Sequence, residues 1–344
     1  MAQPRVLVTG GAGFIGGHVV LAALAQGYRV RTTVRSLDRE GAVRASLAGV
    51  GLTAADHLEF AAADLTRDDG WPAALDGIDY VIHVASPVMP GHVEDEQELL
   101  VPARDGALRV LRAARDAGVP RVVLTSAFHA VAWGHPHDDH VFTEADWTVL
   151  DGPGTDAYGR SKTLAERAAW DFAAAAGGEL ELTTLLPVAV LGPLVNSSVS
   201  GASRVIRQLL AGQLPGLLNL YFPVVDVRDV AAAHVTAMTA PGAAGQRILL
   251  GSDPALSMAE IAGLLRARLS QAAARVPAES VPDETVRAGA ATSPALRSAA
   301  ADLGYARRFS TEKARRVLGW NPRPSADAVI AAGQSILDRG LAGS

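Results

Sequence analysis

Short runs that are apolar at almost every position alternate along the first half of the chain with longer, alanine-rich stretches of helical period. The runs fall at Val6–Thr9, Val30–Val34, Leu58–Ala61, Tyr80–Ala85, Val122–Thr125 and Leu182–Leu186. Their length and β-branched content predict strands. Between them, Ile15–Gln26, Arg39–Leu47, Glu98–Ala117 and Ala157–Ala176 carry apolar residues at helical spacing. Strands that are apolar throughout, rather than alternating, belong to a parallel sheet covered on both faces. Strand–helix alternation of this kind predicts an α/β, doubly wound fold.

The pattern loosens after Leu186. Pro187, Gly192 and Pro193 lead into a serine-rich loop, then a helix-like stretch at Ser203–Ala211. A strand-like piece at Tyr221–Val225 precedes a helix at Val227–Met238. Residues 271–304, rich in Ala, Ser and Pro without strong periodicity, read as a surface segment with partial helix. No internal repeat is visible. The expected organisation is a dinucleotide-binding domain over residues 1–186, with a return at about 220–250, and a smaller substrate-binding lobe from 187–219 and 251–344.

Composition narrows the chemistry. The 344 residues suffice for one large α/β domain plus a lobe, and a formal charge of -5 without a basic stripe argues against nucleic acid or acidic membrane as partner. The absence of cysteine removes disulfides, thiol nucleophiles and thiolate metal sites. Met-Ala-Gln-Pro-Arg runs at once into a strand, leaving no room for a signal peptide, and no apolar stretch reaches membrane-spanning length. A cytoplasmic protein, monomer or homodimer, is the expectation.

Residues 6–16 read VLVTGGAGFIG, a strand running into Gly10, Gly13 and Gly16 and then a helix. Gly10 permits a tight turn, Gly13 lets the backbone approach a pyrophosphate, and Gly16 lets the helix pack closely, its N-terminus facing the phosphates. The motif occupies the first strand–helix junction of a Rossmann-type sheet, the context it requires. An acidic residue at the tip of the second strand would mark NAD. Here the tip reads Thr33–Val34–Arg35–Ser36, so Arg35, helped by Arg39 or Arg44, is placed to meet a 2′-phosphate, favouring NADP. Asp38 lies beyond the strand and reads as a helix N-cap. The competing reading of Arg35 is a solvated surface charge.

Of 31 basic residues all but Lys162 and Lys313 are arginine, which singles out DAYGRSKTLAE at 156–166. Tyr158 and Lys162 lie four apart and share a helix face. An ammonium there favours the phenolate and is expected to lower the tyrosine pKa from its usual value of roughly 10. Such a tyrosine can protonate a carbonyl oxygen as hydride reaches its carbon. Arginine's planar fork fits ribose hydroxyls less well.

TGGAGFIG at 9–16, the Tyr158-x-x-x-Lys162 pair and PVAVLGP at 187–193 resemble the extended short-chain dehydrogenase/reductase family. The branch of dihydroflavonol, cinnamoyl-CoA and yeast-type methylglyoxal/ketone reductases is also similar at HVASPV (83–88), VDVRDVAAAH (225–234) and EKARRVLGW (312–320). The resemblance implies that Thr9, Gly10, Gly13, Phe14, Ile15 and Gly16 form the pyrophosphate cradle and Arg35 the 2′-phosphate contact. It implies Asp64 and Leu65 beside the adenine, Ala85 and Ser86 along the cofactor channel, and Pro187 and Val190 bordering the nicotinamide. Tyr158 would be the general acid, and Lys162 its partner and a ribose contact.

The chain departs from this branch at one step. Where relatives write Thr-Ser-Ser after the fifth strand, this chain reads LTSAFHAV, so Ala127 stands where the carbonyl-polarising serine is expected. Ser126 is taken as the replacement, with Thr125 and His129 as alternatives; the structural reading of Ser126 is a buried hydroxyl bonding the backbone.

WGHPHDDH at 133–140 gathers three histidines and two aspartates, but its spacing is irregular and interrupted by proline, so no metal site is expected. His83 reads as a bonded core residue. Met89, Phe128, Trp133 and Tyr221 are candidate pocket residues that core packing explains equally well. The function expected is NADPH-dependent reduction of an aldehyde or ketone, a small-molecule carbonyl being the partner. The alternatives are a nucleotide-sugar epimerase or dehydratase, a hydroxysteroid-type dehydrogenase, and a non-catalytic NADP sensor.

Overall fold

The computed structural model describes residues 3–86 and 95–343. The chain runs β1 (Arg5–Thr9), α1 (Phe14–Ala25), β2 (Arg29–Val34), α2 (Glu40–Ala48), β3 (Leu58–Ala62), α3 (Trp71–Leu75), β4 (Tyr80–His83), α4 (Gln97–Asp116), β5 (Arg121–Thr125), β6 (Val141–Phe142), α5 (Ala157–Ala175) and β7 (Glu181–Pro187). It continues through β8 (Ala189–Leu191), α6 (Ser203–Ala211), β9 (Tyr221–Asp226), α7 (Val227–Thr239), β10 (Arg247–Leu250) and β11 (Ser252–Ser257). Then follow α8 (Met258–Leu269), α9 (Asp283–Gly289), α10 (Pro294–Ala301), β12 (Arg308–Phe309), α11 (Glu312–Leu318) and α12 (Ser325–Asp338).

Seven strands form one parallel sheet in the order β10-β7-β5-β4-β1-β2-β3. In β1, β4 and β5 alternate residues enter different cores. Val6, Val8, Ile82 and Val123 join one buried cluster, while Leu7, Val81, Val122 and Leu124 join another. Helix α1 packs on α7 and α4 on α5. Both faces are therefore dry, which is why these strands are apolar at every position. The strand order reverses direction beside β1, the switch point at which open α/β sheets bind ligands.

A third buried cluster forms where α6, α8 and α12 pack on a three-stranded sheet of order β11-β9-β8. The expected return of the chain to the large sheet at about residue 220 begins only at Val227. Strand β9 pairs with β8 and β11 instead, and α7 and β10 make the return. Asp38 is not an N-cap: Ser36 caps the short turn Leu37–Arg39, its hydroxyl accepting from the Asp38 amide. Among the described residues no helix is long and apolar enough to cross a membrane.

Candidate active site

The loop between β1 and α1 is bare backbone by necessity. Gly10 has φ +75°, and a Cβ there would meet Ala85 at 3.1 Å. A Cβ on Gly16 would fall 2.2 Å from the Gly10 carbonyl oxygen. That carbonyl also accepts the Gly13 amide at 2.8 Å, closing the turn. No side chain caps α1, so the orphan amides of its first turn, including those of Phe14 and Ile15, are left for an anion. Thr9 works behind the loop. Its hydroxyl shares a 2.7 Å bond with His83 Nδ1 and accepts the Val84 and Ala85 amides at 3.1 and 3.0 Å, tying β1 to the segment after β4. His83 is thus a bonded core residue; burial, then the Lys162 charge, pushes its pKa down to about 3.

Arg35 sits exposed at the tip of β2, and among the described residues neither its guanidinium nor that of Arg39 forms a hydrogen bond or ion pair. Arg44 does not share that freedom. It is bound to Glu40 Oε1 at 2.8 Å, to the Ala55 and Leu58 carbonyls at 3.0 and 2.7 Å, and lies over Phe60, so it is a structural arginine. Asp64 accepts from the Thr66 amide and hydroxyl at 2.8 Å, which holds its carboxyl below the usual range. The Leu65 carbonyl accepts from Arg109. A bare glycine turn, an uncapped helix start and free cations at the β2 tip fit a dinucleotide carrying a 2′-phosphate.

Asp156 caps α5 by accepting the Gly159 amide at 2.7 Å, fixing where the helix begins and hence the phase of Tyr158 and Lys162. Lys162 Nζ donates to Ser86 Oγ at 3.1 Å and lies 5.8 Å from the Tyr158 ring centre. The expected lowering of the tyrosine pKa is not realised. Burial, with Asp156 adding, pushes the phenol up to about 12, and burial pushes Lys162 down to about 8. Desolvation is the leading cause of both shifts, and the ammonium donates to Ser86 Oγ rather than to the phenol. Tyr158 still presents 40% of its surface to solvent.

Ser126 is buried, and its hydroxyl donates to Glu166 Oε2 at 2.7 Å, a side-chain partner rather than the backbone expected of a structural serine. Thr125 bonds His234 Nε2 at 2.7 Å. Ser126, Glu166, Lys162, Ser86 and His83 line one small cavity of about 20 Å³. The ring of His129 stacks on Trp133 at 3.8 Å and meets Tyr158 edge-on at 4.9 Å. Phe128 is core, edge-on to Phe142 and Phe309. Tyr221 opens β9, 36% exposed, and Pro187 and Val190 lie at the β7–β8 junction, buried and half-buried. Met89 and the last two residues of HVASPV lie outside the described residues.

The histidine-rich segment does not converge. His135 bonds the Trp147 carbonyl, His137 stacks on Tyr305, and His140 pairs with Asp146. Among the described residues no group of three or more His, Cys, Asp or Glu could hold a metal ion.

Sequence reasoning missed Glu166 and Arg247. Glu166 Oε1 accepts from Arg247 Nε and Thr184 Oγ1, both at 2.8 Å, while Arg247 lies 3.5 Å over Trp147. Spacing held the signal for Glu166, four residues beyond Lys162 and so on the same face. Nothing local marked Arg247.

The sequence profile of the NAD dependent epimerase/dehydratase family matches residues 6–251. The chain belongs to that family. Within it, cinnamoyl-CoA reductase 1 of Arabidopsis thaliana is 36% identical over 256 residues, covering 73% of this chain and 71% of that protein. Ketoreductase azaE of Aspergillus niger is 32% identical over 297 residues, covering 81% and 87%. The crystal structure of Gre2 in complex with NADPH from Candida albicans superposes with a TM-score of 0.79 at 26% identity, over 98% of this chain and 99% of that one. The resemblance to extended short-chain dehydrogenase/reductases holds over nearly the full length.

Proposed function

We propose that this protein is an NADPH-dependent reductase that converts an aldehyde or ketone to the alcohol. The observation carrying the reading is the placement of Tyr158, part-exposed, one helical turn from an ammonium bonded to Ser86, over the same strand ends as the glycine cradle. The reductase names and the NADPH of the similar proteins support it.

Bound NADPH supplies the hydride that reaches the carbonyl carbon. The chain's own residues do the rest. The glycine turn and the uncapped start of α1 bind the pyrophosphate, and Arg35 the 2′-phosphate. Asp64 and Leu65 flank the adenine; Ala85, Ser86, Pro187 and Val190 line the way to the nicotinamide. A phenol raised to about 12 is fully protonated at neutral pH, as a proton donor must be. Tyr158 Oη gives that proton to the oxygen as the C–O double bond becomes single. Lys162, charged at neutral pH, stabilises the resulting phenolate.

NADPH oxidation over methylglyoxal, an α-keto ester, an aryl ketone and an aromatic aldehyde tests this, with NADH beside it. Turnover with NADPH is expected, falling by roughly a hundredfold or more in Tyr158→Phe, while NADPH binding by fluorescence is unchanged. Cofactor binding without turnover in either direction would refute the reading.

A further inference from the structure

Three side chains at the end of β5 and just beyond it carry a hydrogen that a substrate carbonyl could accept: Thr125, Ser126 and His129. Two of those hydrogens are committed. His234 Nδ1 lies 2.7 Å from the Val230 carbonyl, so that nitrogen carries the proton and Nε2 is a bare lone pair. The Thr125 hydroxyl, 2.7 Å from Nε2, must therefore donate to it. Ser126 gives its only proton to the Glu166 carboxylate at 2.7 Å. Ala127 has none to give.

His129 differs. Among the described residues neither ring nitrogen has a hydrogen-bond partner, and neither is an enclosed, unsatisfied atom. Its ring meets the Tyr158 ring edge-on, with centroids 4.9 Å apart and planes at 78°. We propose that His129 is a catalytic residue, donating from its imidazole N–H the hydrogen bond that polarises the substrate carbonyl, the duty Ala127 cannot perform. The assignment rests on the reductase reading.

The ring is held for that task. It stacks on Trp133 at 3.8 Å with planes 13° apart, and the Arg307 guanidinium lies 4.3 Å from the same indole. Two groups so close to one ring cannot share a face, so Trp133 is clamped between them. Arg307 is itself anchored by Asp302 through two bonds, 2.8 and 3.0 Å, and by the Ala132 carbonyl at 3.0 Å. The His129 carbonyl accepts from Thr148 Oγ1 at 2.8 Å, fixing the backbone beneath the ring. Burial first, then the charges of Arg307 and Lys162, keeps the imidazole neutral with a pKa of about 3. A neutral imidazole donates one hydrogen bond without giving up its proton. The proton that ends on the product oxygen comes from Tyr158, and His129 keeps its own.

The test compares wild type with His129→Ala and with His129→Ala carrying Ala127→Ser. In the single variant kcat is expected to fall roughly a hundredfold or more, with the NADPH Kd unchanged, and the serine is expected to restore about tenfold of the loss. A readout independent of turnover is the infrared stretch of a carbonyl-13C ketone bound with NADP+. It should lie at higher wavenumber in His129→Ala than in wild type. If His129→Ala lacks a thermal transition, His129→Gln and His129→Leu take its place, the amide retaining rate and carbonyl shift and the alkyl chain losing both. A variant within about threefold of wild type, too small a loss for a polarising donor, with an unmoved carbonyl band, overturns the role of His129 and leaves the reductase standing. A wild type that reduces no carbonyl overturns both.

Discussion

At the tip of β2, Arg35 stands where an acidic side chain would have held the ribose hydroxyls of NAD. Its side chain is exposed and makes no hydrogen bond or ion pair among the described residues, and the Asp64 carboxylate nearby feels its charge only as a secondary influence. Hydrogen bonds to a charged group contribute about 1.5–3 kcal/mol. Arg35→Ser is therefore expected to weaken NADPH binding by roughly tenfold or more and to leave NADH nearly unaffected, as read by fluorescence titration. Equal weakening of both would tell against the phosphate contact. Legibility in sequence tracks the range of the interaction. The glycine turn and the Tyr158–Lys162 pair could be read because a tight turn and a four-residue helical step are local geometry. The engagement of Arg44 with Leu58 and of Ser126 with Glu166 could not, since each partner is brought in by the fold. The tyrosine pKa failed for the same reason: spacing gives proximity, but Ser86 decides where the ammonium points.

Helix α5 is held as an element by the buried pair Glu166–Arg247, with side-chain exposures of 1% and 10%. Glu166 also takes the hydroxyls of Ser126 and Thr184 and the Trp170 indole N–H, so β5, β7 and β10 all bear on one carboxylate. Arg247 adds the Glu144 and Asp146 carbonyls, each at 2.7 Å. Removing one partner of such a pair strands the other charge in the interior. Glu166→Ala or Arg247→Met is expected to cost about 3–5 kcal/mol in urea unfolding. The double variant should lose less than the sum of the two, because no charge is then left alone. Additive losses would mean that the pair is not coupled. Element boundaries were largely visible beforehand, since a helix such as Ser203–Ala211 shows itself by period. Partnership was not: β9 reads as a strand, but only its neighbours reveal that it joins the small sheet.

For the whole molecule, the buried histidines set the response to acid. His83 and His234 are 2% and 0% exposed, and burial lowers their pKa values from 6.5 to about 3 and about 4. Between pH 6.5 and 4.5 the unfolded chain takes up protons at these sites while the native protein does not. Stability therefore falls as pH falls through that window, by up to roughly 1.4 kcal/mol per pH unit for each histidine. Urea unfolding at pH 7, 6 and 5 should show the loss, and His83→Gln should reduce the slope by about one proton. A slope unchanged in the variant would place the sensitivity elsewhere.

Two hydrogen bonds tie the first strand–helix junction of the large sheet to the segment after β8. Asn196 Nδ2 donates to the Ala12 carbonyl at 2.8 Å, and His18 Nε2 meets the Pro193 carbonyl at 2.8 Å. The segment after β8 is thus stitched to the glycine turn between β1 and α1 and to α1 itself. On the proposed reading, grip on the nucleotide and the set of the chain leading into the small lobe are in consequence one mechanical property, and a change at Asn196 is felt in both.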